Sequence, residues 1–406
     1  MRGRYFSAYR GLPGEIYYLF AAKLVNCMGF FIMPLLTLIL TQKLGMAKAD
    51  AGSMVTMLAV TQAPCVILGG RFADKLGRKK TLIAGSAAGA LFYLLCALFP
   101  MGKATVVFII LAADMSALAA PSLDAMLADI AAPADRQRAF SLLYLGANIG
   151  MTVSPIVGGL LFKNHLPLLF IMDAATTGAA AAIVLLRVKE HFRRPEETPP
   201  EEDGPPADSL ARTLKANLVL PAFLALLFLY DFCYSQWNFL LPAQFGDRYA
   251  GDGARFYSYL TSANALTVIF MTPVVTSLVS RLRPLTAVAI GGGLFCAAYL
   301  CFGTGGTFPV YIAAAELFTL GEISETIQVG AYLANSVPGS LRGRMTSLST
   351  IARGAGWAVG PVWMGDYLTR AGYAASWHLT AAVVFAAAAC MLLLSRKSRE
   401  PRCAAD

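Results

Sequence analysis

Charge is what this sequence lacks. Asp, Glu, Lys and Arg together make up 14% of 406 residues, against 57% hydrophobic residues. That is too little charge to cover the surface of a soluble chain, so the two or three globular domains suggested by length alone are excluded. Histidine is scarcer still: His165, His191 and His378 are scattered and do not form a ligand set. There are eight cysteines, none in CxxC spacing. Seven of them (Cys27, Cys65, Cys96, Cys233, Cys296, Cys301 and Cys390) fall in apolar runs, and Cys403 lies in the tail. They read as small packing residues rather than redox or metal groups. There is no P-loop, no HExxH and no GxSxG with triad partners, which removes ATP hydrolysis and the common hydrolase chemistries. No enzyme activity, cofactor or metal is expected.

What the sequence has in abundance is long apolar runs. Stretches of roughly 20 residues, the length that crosses a bilayer, recur from end to end. In lipid each must satisfy its own backbone hydrogen bonds, so they read as helices, and none alternates with the period of two of a membrane barrel. Twelve spans are expected: 16–40, 51–70, 81–100, 106–130, 139–162, 167–187, 217–245, 256–280, 284–303, 308–331, 345–368 and 374–395. The Gly- and Ala-rich run 284–303 is the least distinct. The first run is too long for a cleaved signal peptide and is read as a retained span.

The net charge of +9 is unevenly placed. With the N-terminus inside, 24 of the 33 Lys and Arg fall on inner segments, seven on outer loops, and Lys23 and Arg353 within spans. This bias puts both termini in the cytoplasm and accounts for the basic charge without a nucleic-acid partner. The segment from Lys189 to Lys215 is rich in Pro and Glu and cannot bury enough apolar surface to fold. It divides the chain into an N-terminal six-helix bundle (1–187), a disordered cytoplasmic linker (188–216), a C-terminal six-helix bundle (217–395) and a cytoplasmic tail (396–406).

The halves repeat. "RQRAFSLLYLGANIGMTVSP" from Arg136 and "RGRMTSLSTIARGAGWAVGP" from Arg342 align at an offset of 206 residues. The offset matches Arg136 with Arg342, Arg138 with Arg344, Ser141 with Ser347, Leu142 with Leu348, Gly150 with Gly356 and Pro155 with Pro361. Duplicated halves that rock about a central site are a mark of secondary transporters.

Two motifs carry a family resemblance. "GGRFADKLGRKK" (Gly69 to Lys80), between spans two and three, resembles the signature of the major facilitator superfamily at Gly70, Ala73, Asp74, Gly77, Arg78 and Lys79, with Phe72 for the usual Leu and Lys75 for the usual Arg. "GANIGMTVSPIVGG" in span five resembles that family's antiporter motif through Gly146, Gly150, Pro155, Gly158 and Gly159, with Ser154 replacing a usual Gly. "MPLLTLIL", "SQWNFLLP" and "ELFTLGE" followed by "RGRM" are similar to the drug-exporter branch, called drug:H+ antiporters or multidrug exporters. Cys27 departs from that branch, which often carries Arg after the residue matching Asn26, and span four lacks its membrane Arg. The resemblance implies an all-α membrane fold of twelve helices in two pseudo-repeat halves. It also implies a conformational latch built from Gly70, Asp74, Gly77, Arg78 and Asp129. In that latch Asp74 faces the start of span eleven, Arg78 bridges Asp74 to Asp129, and the glycines permit a tight turn and close approach. The alternative for this cluster is a plain positive anchor at the inner surface, the role expected of Lys79 and Lys80.

Ionisable residues inside spans are functional candidates because their burial is costly. Asp231, Tyr234 and Asn238 share one face of span seven. Glu316, Glu322 and Glu325 lie on span ten, with Arg353 on span eleven at a depth suited to pairing with Glu325 or Glu322; a structural bridge between helices is the competing reading. Lys23 and Asp124 are matched in depth and expected to pair. Asp114 has no evident basic partner. The proton-coupling candidates are therefore Asp231, Asp114, Glu322, Glu325 and Asp124, and the ion-pair candidates Lys23 and Arg353. The substrate-cavity candidates are Asn26, Phe30, Gln62, Tyr234, Trp237, Asn238, Glu316 and Trp357. Asp173 is expected nearer the outer interface.

The function expected is proton-coupled export of lipophilic or cationic drugs by alternating access. The alternative is carriage of a specific metabolite such as a peptide, siderophore or sugar; a membrane sensor that does not transport is a further one. The partners expected are a small-molecule substrate, protons and the lipid bilayer, with no nucleic acid, for a monomer in the cell membrane.

Overall fold

The computed structural model describes residues 10–132, 135–190, 214–215, 217–249, 251–336 and 341–397. Most of the linker and the end of the tail lie outside the described residues. Those described are helical wherever they are regular, with no strand among them. The helices are α1 (Gly14–Met28), α2 (Lys48–Leu76), α3 (Arg78–Leu98), α4 (Lys103–Ile130), α5 (Arg136–Leu161) and α6 (Leu166–Arg187). They continue with α7 (Val219–Tyr234), α8 (Gly253–Val279), α9 (Pro284–Gly303) and α10 (Phe308–Ser336). The stretch Arg342–Lys397 is broken at Gly372 into α11 (342–371) and α12 (373–397). Each of the twelve expected spans has its helix among the described residues.

Nine helical stretches among them are long and apolar enough to cross a membrane on length and composition alone. The others have physical reasons to fall short. The first span is interrupted: α1 stops at Met28, and helical structure resumes only at Leu36–Leu38, passing into a π-turn over Ile39–Lys43. Span ten carries Glu316, Glu322 and Glu325. The least distinct run forms the regular helix α9. Its small residues let it pack backbone against backbone: a Cβ on Gly291 would lie 2.8 Å from the Gly321 carbonyl oxygen of α10.

Span seven is also interrupted. After α7 the chain tightens into a 3-10 turn at Ser235–Trp237 and continues as Leu240–Arg248. Ser235 stands 206 residues after Gly29, so both halves leave the α-helix at equivalent points of the repeat. The packing repeats as well. A Cβ on Gly150 of α5 would lie 2.6 Å from the Cys27 Cβ and 2.8 Å from the Met28 nitrogen of α1. One on its counterpart Gly356, on α11, would lie 2.9 Å from the Phe228 carbonyl carbon and 3.0 Å from the Phe232 nitrogen of α7. The duplicated glycines thus serve the same crossing in each half.

Two compact units are resolved by contacts. One comprises residues 10–46, 57–190 and 245–265; the other comprises 47–56, 217–244 and 266–397. A core of Leu12, Ile16, Leu19, Leu127, Leu142 and Val184 lies in the first. The second is centred on Phe295, Tyr299, Phe302, Phe318 and Trp377, whose rings lie 4.9–6.5 Å apart in neighbouring pairs.

Gly372 separates α11 from α12 with φ 77° and ψ 176°, a region essentially confined to glycine. Nothing lies within 4 Å of a Cβ built there. Gly372→Ala is therefore expected to lower stability by about 1–3 kcal/mol through backbone strain alone. Thermal unfolding in detergent checks this; an unchanged midpoint would contradict it.

Candidate functional site

The charged residues of spans seven, ten and eleven converge within the second unit. Arg353 of α11 donates from Nη1 to Glu325 Oε1 at 2.9 Å and from Nη2 to Glu325 Oε2 at 3.4 Å, a two-pronged hold on α10. Arg353 Nε also lies 3.0 Å from Asp231 Oδ2 of α7. That approach is an ion pair by distance but is not aligned for a hydrogen bond, and Asp231 Oδ2 has no hydrogen-bond partner. One guanidinium therefore serves two carboxylates unequally. The Glu325 side chain is 5% exposed and doubly bonded; that of Asp231 is 11% exposed and held by charge alone.

The sequence left Arg353 a choice between Glu325 and Glu322, and Glu325 receives it. Glu322 instead accepts a 2.8 Å hydrogen bond from the Tyr234 hydroxyl, one turn along α7 from Asp231. Glu316 accepts from Thr267 Oγ1 at 2.6 Å. The sequence offered Arg353 only Glu325 or Glu322 as partners; its contact with Asp231 adds a third carboxylate that the pattern did not assign to it. Trp237 stacks on Phe318 with centroids 4.4 Å apart and is 5% exposed, so it belongs to the aromatic core rather than to a cavity wall. Asn238 and Trp357 are half-buried.

In the first unit, Asp114 is buried and accepts from Thr61 Oγ1 at 2.9 Å, with no basic partner among the described residues. Gln62 is half-buried and Phe30 exposed. Lys23 and Asp124 do not form the expected ion pair: no contact within 4.0 Å joins them. They face one cavity of about 150 Å³ between α1, α3, α4 and α6, which Asn26 also lines. Asn26 Nδ2 donates to Thr177 Oγ1 at 3.3 Å. Asp173 of α6, expected near the outer interface, is buried. Its Oδ2 has no hydrogen-bond partner among the described residues. Gly29 and Pro34 were the signals in the sequence that span one would break.

The signature loop between α2 and α3 is built partly as expected. Gly77 adopts φ 103°, as a tight turn between α2 and α3 requires. Arg78 pairs with Asp129 at the C-terminal end of α4 and donates from Nη1 to the Ala125 carbonyl at 2.5 Å. It does not bridge to Asp74, which is exposed and has no bond among the described residues. Nor is Gly70 the site of close approach: its surroundings are open, whereas a Cβ on Gly69 would collide with the Leu118 carbonyl of α4. Lys79 is more than an anchor. Its Nζ donates to the Leu185 and Val188 carbonyls at 2.8 and 2.7 Å, capping the end of α6.

The antiporter-like stretch of α5 is a packing surface. Gly146 abuts Phe20, Gly150 abuts Cys27, and Gly158 would meet Leu35 at 3.1 Å. Gly159 abuts Ser258, Pro155 lies inside the helix, and Ser154 is buried with its hydroxyl unpartnered. Among the described residues no group of three or more His, Cys, Asp or Glu is placed to hold a metal ion.

The family model described as Major Facilitator Superfamily matches residues 19–361. The chain belongs to that superfamily. It is thus a multi-pass membrane transporter of the major facilitator class. Among curated proteins, it is 21% identical over 365 residues to a "Na(+), Li(+), K(+)/H(+) antiporter" of Planococcus maritimus, covering 83% of this chain and 85% of that one. It is 28% identical over 350 residues to "Tetracycline resistance protein, class D" of Salmonella ordonez, covering 82% and 85%. Among solved structures, a POT family transporter crystallised in meso superposes with TM-score 0.78 at 16% identity, covering 95% of this chain and 98% of that one. At that identity the likeness extends to the fold alone. Relatives and structural neighbours carry different substrates, so the family membership leaves the substrate to the site.

Proposed function

We propose that this major facilitator protein is a proton-coupled antiporter that exports lipophilic or cationic compounds, with no enzymatic step. The observation that carries the reading is the sharing of Arg353 between Asp231 and Glu325. Two carboxylates and one guanidinium leave one negative charge uncompensated in a poorly hydrated setting, where such charge is costly. A proton on Asp231 Oδ2 removes it and leaves the Arg353–Glu325 pair undisturbed. Loss of that proton draws Arg353 towards α7, and a cationic substrate can then replace the proton as counter-charge. The two ligands thus favour different arrangements of one cluster, as exchange requires. Three helices, α7, α10 and α11, meet at the cluster, so the proton state is felt by elements that must move during alternating access. The relatives named as a cation/proton antiporter and a tetracycline resistance protein support exchange of this kind. Both sequence halves, the inner placement of the termini and a monomeric carrier in the cell membrane belong to the same reading.

The test is ethidium flux in proteoliposomes with and without an imposed pH gradient. Gradient-driven flux is expected in the wild type. In Asp231→Asn it should fall at least tenfold, because an amide cannot cycle a proton, while thermal stability stays near wild type because Arg353 keeps Glu325. Equal gradient-driven flux in both proteins would overturn the role of Asp231. No ethidium flux in the wild type would overturn the lipophilic-cation reading.

A further inference from the structure

We propose that the cavity between α1, α3, α4 and α6 is a binding site for a compact zwitterion, an amino-acid-like molecule with one ammonium and one carboxylate. Its recognition is separate from the Asp231–Arg353–Glu325 cluster and does not depend on proton coupling. Lys23 stands on α1 and Asp124 on α4, and both face the cavity. Among the described residues neither has an ion-pair or hydrogen-bond partner, and no contact within 4.0 Å joins them. Lys23 is half-buried and Asp124 exposed, so both charges are open to a ligand entering the cavity. Here they are held apart with space between them.

The space has a sequence cause. The walls between the two charges are made of small side chains, Ala22, Ser86, Ser116, Ala119 and Ala180, of which the three alanines belong to the buried core. Leucines at those positions would fill the gap. The resulting volume, about 150 Å³, accommodates on the order of ten non-hydrogen atoms. That fits a small amino acid. The polar groups are also suited to a ligand with two poles. Lys23 offers an ammonium to a carboxylate and Asp124 a carboxylate to an ammonium. Ser86 has no bond among the described residues, and Ser116 donates to Ala112 at 2.9 Å, which leaves its oxygen free to accept. A monovalent cation would satisfy Asp124 and be repelled by Lys23; a monovalent anion would meet the reverse. Only a ligand carrying both charges satisfies both walls.

The experiment measures equilibrium binding to the purified full chain in detergent by calorimetry. The probes are L-alanine, β-alanine and 4-aminobutyrate, in which the two charges are increasingly separated, together with butylamine and butyrate as single-charge controls. At least one zwitterion is expected to bind at least about tenfold more tightly than either control, the scale of one charged hydrogen bond. Lys23→Gln should remove that advantage over butylamine, and Asp124→Asn the advantage over butyrate. Exchanging the charges in one protein, Lys23→Asp with Asp124→Lys, should restore zwitterion binding even if each single variant is poorly folded. The proposal is overturned if no zwitterion binds the wild type. It is equally overturned if the single-charge probes bind as well, or if the exchanged pair fails to bind in a protein that elutes and unfolds like wild type. None of these results depends on ethidium flux, so this site and the antiport reading stand or fall separately.

Discussion

Replacing Arg353 with methionine is expected to lower the stability of the protein by about 3 kcal/mol or more, the range measured when one partner of a buried pair is removed. The guanidinium is the only basic group within 4.0 Å of either Asp231 or Glu325 among the described residues. Without it two carboxylates on neighbouring helices are left without counter-charge, and the Glu325 side chain is only 5% exposed. The Arg353 side chain is 31% exposed, so water screens part of the loss and the lower end of the range applies. The decisive comparison is a rescue series. Arg353→Met with Glu325→Gln should regain most of the stability, because the deeper carboxylate is then neutral. Adding Asp231→Asn should regain the rest. Rescue by Glu325→Gln is expected to exceed rescue by Asp231→Asn, since the first is buried more completely and doubly bonded. Thermal unfolding of the purified variants in detergent measures all of these. If Arg353→Met unfolds at the wild-type temperature, the charges are solvated and the cluster cannot act as a proton-sensitive joint.

Gly150→Ala is expected to be nearly as damaging, for a steric reason. A Cβ at that position falls 2.6 Å from the Cys27 Cβ and 2.8 Å from both the Cys27 carbonyl carbon and the Met28 nitrogen. Backbone atoms cannot swing aside as a side chain does, so α5 must back away from α1 along their crossing. Close packing of this kind is what holds membrane helices together, because lipid supplies no hydrophobic drive between them. Overpacking in tight cores costs about 1–3 kcal/mol, and the affected crossing lies beside the interruption of span one. Low yield and a lowered unfolding temperature are expected. Gly178→Ala is the control: its Cβ meets nothing within 4 Å on α6, so a neutral or slightly stabilising result is expected there. Equal behaviour of the two variants would show that the α1–α5 crossing is looser than the glycine contact implies.

Much of this protein was decided by its sequence. The bilayer tolerates no unpaired backbone, so any apolar run of sufficient length must become a helix; even the indistinct run at 284–303 did so. The offset of 206 residues forecast equivalent crossings, and Gly150 and Gly356 make them. The signature loop fixed Gly77 in a turn because that depends on short-range geometry, whereas Arg78 against Asp129, a contact between α3 and α4, was anticipated only through the family resemblance. Partner choice between helices was different. Glu322 and Glu325 lie three residues apart on one face of α10, about 60° around the helix. Which of them meets Arg353 depends on how α10 and α11 cross, and no pattern within a single helix encodes a crossing. The same holds for Lys23 and Asp124, matched in depth along the sequence yet separated by a cavity, and for Trp237, whose place in an aromatic core follows from the 3-10 turn that rotates it out of the α7 register. The burial of Asp173 was not legible for a related reason: its depth could be counted from the sequence, but which neighbours cover it depends on packing. The sequence by itself determined the helices, their number and their membrane setting, because those follow from the solvent. Tertiary structure alone decided which charges meet, because that is fixed by packing angles and by the points at which helices break.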